Sequence, residues 1–340
     1  MFDTVWPADS AEFCPNEGFT DVFAVGTYKL EEDEEKVNGH QQRRGQCMLF
    51  KMNEDETDFA KIGPSFKFAA VLDLKWCHRD VATLAVADSE SNVALLEWDT
   101  DEKVMKQTQS LAVTSSTANL CLSIDWSNRR TGGSGLGSLA VSLSNGSLAV
   151  LRESMTGELG VDRIWHGHDF EPWIAAWNYW DTNILFSGGD DLQLKGWDIR
   201  TDLSQPAFVN KRFEAGVTTI QSHPHVEHLI AVGGYNNIVQ LFDVRMPSRA
   251  LCGVDVGGGA WRVKWHPSAA RKDDLLVACM HDGCKVVNFT NSWKEGQTTS
   301  RFDKHESMAY GADWSYSGRE GKTSVVSCSF YDHVLHTWKA

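Results

Sequence analysis

Short apolar runs broken by Gly, Asn and Asp recur along the whole chain, and no stretch sustains the period of a helix. The unit is fullest over Ile164–Arg200, IWHGHDFEPWIAAWNYWDTNILFSGGDDLQLKGWDIR. Its pattern predicts an entry loop holding His168, a strand at Ile174–Trp177, a second at Ile184–Ser187 and a third closed by Trp197–Asp198. The turn Gly188–Gly189–Asp190–Asp191 carries hairpin chemistry between the last two. Third-strand ends align at Phe50, Trp98, Leu151, Trp197, Phe242, Phe289 and Trp338. First-strand ends give an independent series, Phe13, Trp76, Trp126, Trp177, Ser222, Trp265 and Trp314. Both series count seven. Third-strand ends lie between 45 residues (Trp197 to Phe242) and 53 residues (Trp98 to Leu151) apart, which suits a four-strand blade.

One blade cannot bury both of its own faces, so the copies must stack in a ring. The expected fold is therefore all-β, a seven-bladed WD-repeat β-propeller over residues 1–340 as one domain. The last unit stops after its third strand, and Phe2–Trp6 is placed to supply the missing outer strand and close the ring. Three segments exceed the repeat and read as long loops: Leu30–Gln46, Asn53–Ser65 and Asn128–Ser138. The glycines of the last do not form G-x-G-x-x-G between a strand and a helix, so it reads as a flexible loop rather than a phosphate cradle.

Composition narrows the function classes. The formal charge of −14 (32 Lys and Arg against 46 Asp and Glu), with no basic stripe, argues against nucleic-acid binding. No run reaches the length of a bilayer span, and the first residues lack the basic and apolar regions of a signal peptide. The eight cysteines fall mostly within apolar strand patterns, as reduced thiols of a cytoplasmic protein would.

His168, Ser187, Asp191 and Trp197 look like a catalytic set at first sight. His305, Ser327, Asp332 and Trp338 repeat the spacing, and recurrence favours a hydrogen-bonded scaffold that stiffens each blade. The residues that the repeat does not need are better functional candidates. Glu171, Trp173, Trp261 and Tyr310 belong to loops entering first strands, and Asp190, Tyr235, His281 and Tyr331 to turns between second and third strands. All eight should converge on one end of the central channel, either as a binding site or as rings that merely plug it. His281 is the best general base by residue type. Cys279 and Cys284 flank it, but the second thiol falls in the next strand, so no metal is expected. His223, His225 and His228 read as exposed loop residues on the opposite face. No Ser satisfies G-x-S-x-G and no Cys has a nucleophile context. On these residues alone the chain reads as a non-enzymatic interaction propeller.

The phrases LDLKWCH (72–78), LSIDWS (122–127), FEPWIAAWNYW (170–180), SGGDDLQLKGWDIR (187–200), WRVKWHP (261–267), LVACMHDG (276–283), YGADWS (310–315) and CSFYDHVLHTW (328–338) change that reading. Together they resemble the WD-repeat diphthine methyl ester hydrolases of the diphthamide pathway, over six of the seven blades and less over residues 1–65. The resemblance implies hydrolysis of the methyl ester of over-methylated diphthine on translation elongation factor 2, giving diphthine and methanol. It supplies no catalytic triad, so the site is argued from chemistry. Diphthine carries a trimethylammonium, which donates no hydrogen bond and is held by aromatic faces and carboxylates. Catalysis is thereby expected of His281, Asp190 and Tyr310, and substrate binding of Glu171, Trp173, Trp261, Tyr331 and Tyr235, with no cofactor. The expected partners are elongation factor 2 and other enzymes of the pathway, with no nucleic acid and no membrane, and the chain as a monomer. A non-catalytic scaffold that recruits those enzymes is the alternative.

Overall fold

The computed structural model describes residues 1–31, 41–318 and 321–340. Seven antiparallel sheets follow one another along the chain, the only helix among these residues being the 3₁₀ turn Ala269–Arg271. We number the blades by their innermost strands: Ala8–Phe13, Val71–Cys77, Cys121–Trp126, Ile174–Trp177, Val217–Ser222, Arg262–Trp265 and Ala309–Trp314. These end on or next to the residues that the first-strand series predicts. The chain closes on itself through Phe2–Asp3, which pairs with Leu335 and Val334 of the last strand. Thr4 adds a backbone bond to the His333 carbonyl at 2.9 Å. The closing strand is thus shorter than the expected Phe2–Trp6.

Two recurring side-chain positions, each used in most of the blades, stitch the ring, and the first gives tryptophan a reason to recur. The indole N–H of Trp76 donates to the Glu12 carbonyl of the previous blade at 3.0 Å, Trp126 to that of Lys75 at 3.0 Å, Trp177 to that of Asp125 at 3.1 Å and Trp314 to that of Lys264 at 2.9 Å. Each of these tryptophans is essentially fully buried. Where blade 5 has Ser222 instead, its hydroxyl donates to the Trp177 carbonyl at 2.7 Å. In four blades the residue just before the strand end supplies a second stitch through its side-chain acceptor. Glu12 accepts from the Trp76 amide at 2.6 Å, Asp125 from Trp177 at 2.9 Å, Gln221 from Trp265 at 2.6 Å and Asp313 from Phe13 at 2.9 Å. Between the sheets, side chains of neighbouring blades share one apolar cluster, as Ala85, Leu95, Trp126 and Val141 do between blades 2 and 3.

The scaffold reading of the histidine sets holds fully in blade 4. There His168 Nδ1 meets Asp191 at 2.8 Å, and His168 Nε2 meets the Ser187 hydroxyl at 2.7 Å. The Trp197 indole donates to the same hydroxyl at 2.8 Å. The blade 7 copy is incomplete. His305 Nε2 meets Ser327 at 2.8 Å and the Trp338 indole donates to Ser327 at 3.2 Å. The Asp332 carboxylate, however, is taken by the Ser329 hydroxyl and the Glu306 amide, which leaves His305 Nδ1 without a partner.

Two further expectations need correction. Most of the expected loop Asn53–Ser65 is strand: Phe59–Phe68 is the outer strand of blade 1, paired along Arg43–Met52, with Phe59, Ile62, Phe66 and Phe68 packed inward. Acidic residues there pulled the reading toward a loop, although an outer strand needs only alternate positions apolar. His223 is fully buried rather than exposed, with its ring 4.4 Å from that of Trp265 and Nε2 2.8 Å from the Lys272 carbonyl. Of the segment Leu30–Gln46, Leu30 lies in a short strand paired with Arg43, residues 43–46 lie in the third strand of blade 1, and residues 32–40 lie outside the described residues.

Candidate functional site

Every innermost strand has a residue four places before its end residue in the first-strand series. Around the ring these are Asp9, Leu72, Leu122, Trp173, Thr218, Trp261 and Tyr310. In blades 1, 2, 3, 5 and 7 this residue is the extra one of a β-bulge. A bulge re-aims a side chain out of the ladder, here at one end of the channel. The three rings at this level interact: Trp173 and Trp261 have centroids 5.5 Å apart, and Trp261 and Tyr310 4.8 Å apart. Thr218 of the intervening blade is small, so the rings of blades 4 and 6 meet across it.

The turns add the rest of the aromatic surface. Tyr235 lies 6.5 Å from Trp173 and 6.2 Å from Trp261. Phe330 lies 5.4 Å from Tyr310 and 5.0 Å from Tyr331. All five expected aromatic residues therefore belong to one continuous array, joined to Tyr331 through Phe330. Next to it a cavity of about 1020 Å³ is lined by Trp6, Tyr28, Glu31, Tyr310, Phe330 and Tyr331, among others. Trp6, Tyr28 and Phe330 escaped the sequence reading because they lie outside the aligned strand ends.

The two expected acids sit at the blade 4–5 side of the array. A Cβ on Gly216 would lie 2.3 Å from Asp190 Oδ1 and 3.1 Å from the Tyr235 ring, so glycine is what lets this carboxylate tuck in beside the tyrosine. Burial raises the Asp190 pKa above the usual carboxylate range, with the nearby charges of Glu171 and Asp191 acting in the same direction. The Trp173 indole N–H opposes that rise, yet it is not in hydrogen-bonding geometry with Asp190. Neither Trp173 Nε1 nor Trp261 Nε1 has an acceptor among the described residues. Two buried indole donors thus lack partners within the array.

His281 does not join this group. It is exposed in the turn between Asp274–Ala278 and Cys284–Thr290, and makes no side-chain hydrogen bond, ion pair or ring contact among the described residues. Its neighbours in sequence are engaged elsewhere: Cys279 and Cys284 are fully buried, and Asp282 binds Lys285 and Arg301.

Below the aromatic level the channel holds ionised groups. Glu12 pairs with Arg129 at 2.6 Å and Lys264 at 2.7 Å, and Arg129 also binds Asp125 at 2.8 Å. Asp73 binds Lys75 and lies 3.5 Å from Arg262. Burial alone would raise the Glu12 pKa, but Arg129, Lys264 and Lys75 hold it well below the usual range. Asp9, at the aromatic level, differs from all of these. It is 7 % exposed, and its carboxylate makes no hydrogen bond or ion pair among the described residues. Burial pushes it up to about 7, which Arg262 and Lys75 oppose and Asp73 reinforces. Sequence reasoning passed over Asp9 because an isolated acid near the start of a chain carries no motif. Its register with Trp173, Trp261 and Tyr310 was the available signal.

No family model matches the chain. Curated relatives do, along nearly its whole length. It is 39% identical to the mouse diphthine methyltransferase, covering 92% of this chain and 68% of that protein. It is 32% identical to the diphthine methyltransferase of Schizosaccharomyces pombe, covering 99% and 95%. The chain belongs to the diphthine methyltransferase family. The Dictyostelium discoideum homolog of this family is 31% identical, over 98% of this chain and 96% of its own. Among solved structures, a chain of the mitotic checkpoint complex superposes with a TM-score of 0.71 over 100% of this chain and 89% of its own. At 17% identity it speaks for the propeller fold alone.

Proposed function

We infer that this chain acts on diphthine as a methyl ester hydrolase, converting over-methylated diphthine to diphthine and methanol in diphthamide biosynthesis. The observation that carries this is the family relationship over 92% or more of the chain to proteins named for diphthine. The substrate is a modified residue of a protein, and we propose elongation factor 2, docked on the face that bears the aromatic array. The trimethylammonium would lie against Trp173, Trp261, Tyr310 and Tyr331, with Tyr235 at the rim and the carboxylates of Glu171 and Asp190 beside it. Such a cation gains from ring faces and from unpaired negative charge, and an array with both suits it. His281 is exposed, so a role as base would require the docked factor to position it. No helix of the described residues is long and apolar enough to cross a membrane. We place the protein in the cytoplasm, with its substrate. No observation favours the scaffold alternative.

The decisive experiment incubates purified protein with elongation factor 2 bearing methylated diphthine and follows the modified peptide by mass spectrometry. The expected result is loss of one methylene mass together with release of methanol. An unchanged peptide mass with fully folded protein would overturn the assignment.

A further inference from the structure

The channel carboxylates divide into two kinds. Glu12, Asp73, Asp125 and Asp313 each accept a backbone N–H from the neighbouring blade, at 2.6–3.0 Å, and each lies beside a cation. They hold the ring together. Asp9 accepts nothing, although it stands on the same innermost strand as Glu12. Burying a carboxylate without hydrogen bonds is costly, and stitching the blades does not account for this one.

Its surroundings are those of a reaction centre. Asp9 is the bulged residue between the Ala8–Thr27 and Ser10–Gly26 pairs, which turns it out of the ladder. It shares the aromatic level with Tyr310 of the adjacent blade, and its charge is felt by the Tyr310 hydroxyl. That hydroxyl makes no hydrogen bond among the described residues, and burial pushes its pKa up to about 12, so it stays a proton donor. From blade 6 come Arg262, whose guanidinium carbon lies 5.8 Å from the centre of the Trp261 ring, and Lys264. From blade 2 come Asp73 and Lys75, and from blade 7, besides Tyr310, Asp313 and Cys328. Lys264, Asp313 and Glu12 bind one another one layer down. Among the described residues, Asp9 is thus the one acid on the innermost strands at this level with neither hydrogen bond nor ion pair, in the field of Arg262 and of the Tyr310 hydroxyl, which is itself without a partner.

We propose that Asp9 is the base that activates water for ester hydrolysis at this site, with Tyr310 as donor to the oxyanion. The inference rests on the hydrolase reading above. Asp9 takes one proton from a water whose oxygen bonds to the ester carbonyl carbon. The carbonyl π pair moves onto oxygen, where the Tyr310 hydroxyl donates to it. As the carbonyl re-forms, the bond to the methoxy oxygen breaks and the proton on Asp9 leaves with it as methanol. The carboxylic acid then ionises and releases a proton to solvent. A carboxylate held near neutrality by its environment has the driving force for such a transfer and is still ionised at working pH.

The test uses the full chain and elongation factor 2 bearing methylated diphthine, with wild type, Asp9→Asn and His281→Gln compared. Asp9→Asn should lose about 10²–10⁴-fold in kcat, with KM changed by less than about threefold and a thermal midpoint no lower than wild type. The wild-type kcat should climb with pH to a plateau through an inflection near 7, absent in the residual rate of Asp9→Asn. Wild type that releases no methanol overturns the hydrolase reading itself. An active wild type with Asp9→Asn within about threefold in kcat keeps that reading and overturns this one. So does an active wild type whose rate is lost in His281→Gln with the pH inflection unmoved by Asp9→Asn. Should Asp9→Asn not fold, the wild-type profile decides, and a flat kcat between about pH 6 and 8 refutes the proposal.

Discussion

Replacing Trp261 by Leu tests whether the aromatic array binds a cation or fills a hole. The indole touches three other rings, at 4.8 Å, 5.5 Å and 6.2 Å between centroids. Leucine keeps the site apolar while removing the π face. A desolvated cation over a tryptophan gains about 2 kcal/mol, and about 1.4 kcal/mol is tenfold, so KM should rise roughly 10–30-fold. The lost ring pairs weigh on stability, about 1 kcal/mol each, and leave kcat near its wild-type value. Steady-state methanol release should be measured with a peptide bearing methylated diphthine and with its neutral analogue, a tert-butyl group replacing the trimethylammonium. Only the cationic peptide should lose affinity. An equal rise in KM for both peptides would mean that the rings act by shape alone, and the cation-binding argument would fail.

Three further outcomes follow from the scaffold and the channel. His168→Ala removes buried bonds to Asp191 and Ser187 and should cost about 2–4 kcal/mol in denaturant unfolding, with methanol release unchanged once folded. His78 is held to about 3 and His223, His266 and His305 to about 4, all by burial. Because these rings take protons more readily unfolded, near pH 6.5, than folded, stability is intact above that pH and falls as pH drops from about 6.5 toward 4; the urea midpoint at pH 7 and pH 5 checks this. Asp9 has the opposite sign, since folding raises its pKa. Its charge costs nothing below about pH 4 and destabilises increasingly up to about pH 7, so Asp9→Asn should gain on the order of 2–4 kcal/mol at pH 8 and almost nothing at pH 4.

How much of this was legible follows the physics of each feature. Strand ends and blade count were readable because the same pattern of buried positions repeats seven times at 45–53 residues and the tryptophans that stitch blades stand at the same place in most of them. The outer strand Phe59–Phe68 was not, because an exposed edge strand tolerates the Gly63–Pro64 pair that marks loops elsewhere, and a run of acids precedes it. The aromatic array was legible as a list of residues that the repeat does not need: Trp173, Trp261, Tyr310 and Tyr235 meet, and Tyr331 joins them only through Phe330. Asp9 was hidden, since nothing local distinguishes it from the acids around it. Its meaning comes from sharing a ring level with Tyr310, which lies 301 positions further along the chain but whose strand is next door once Phe2–Asp3 closes the circle.

The closing strand therefore bears on the chemistry as well as on the fold. It fixes blade 1 against blade 7, and these blades contribute Asp9 and Tyr310 respectively. Ring closure brings two polar groups without hydrogen bonds among the described residues to neighbouring places in a level otherwise made of Leu72, Leu122, Trp173, Trp261 and Thr218, whose hydroxyl is bonded to the Ala260 carbonyl. Evolution toward stability alone would neutralise Asp9, as the pH-dependent gain expected of Asp9→Asn expresses. A group that weakens the fold at neutral pH is retained where function needs its charge. The two measurements on that one variant, stability gained and turnover lost, must then move in opposite directions. A variant equally active and more stable would show Asp9 to be an accident of packing, whereas loss of both would make it one more stitch of the ring.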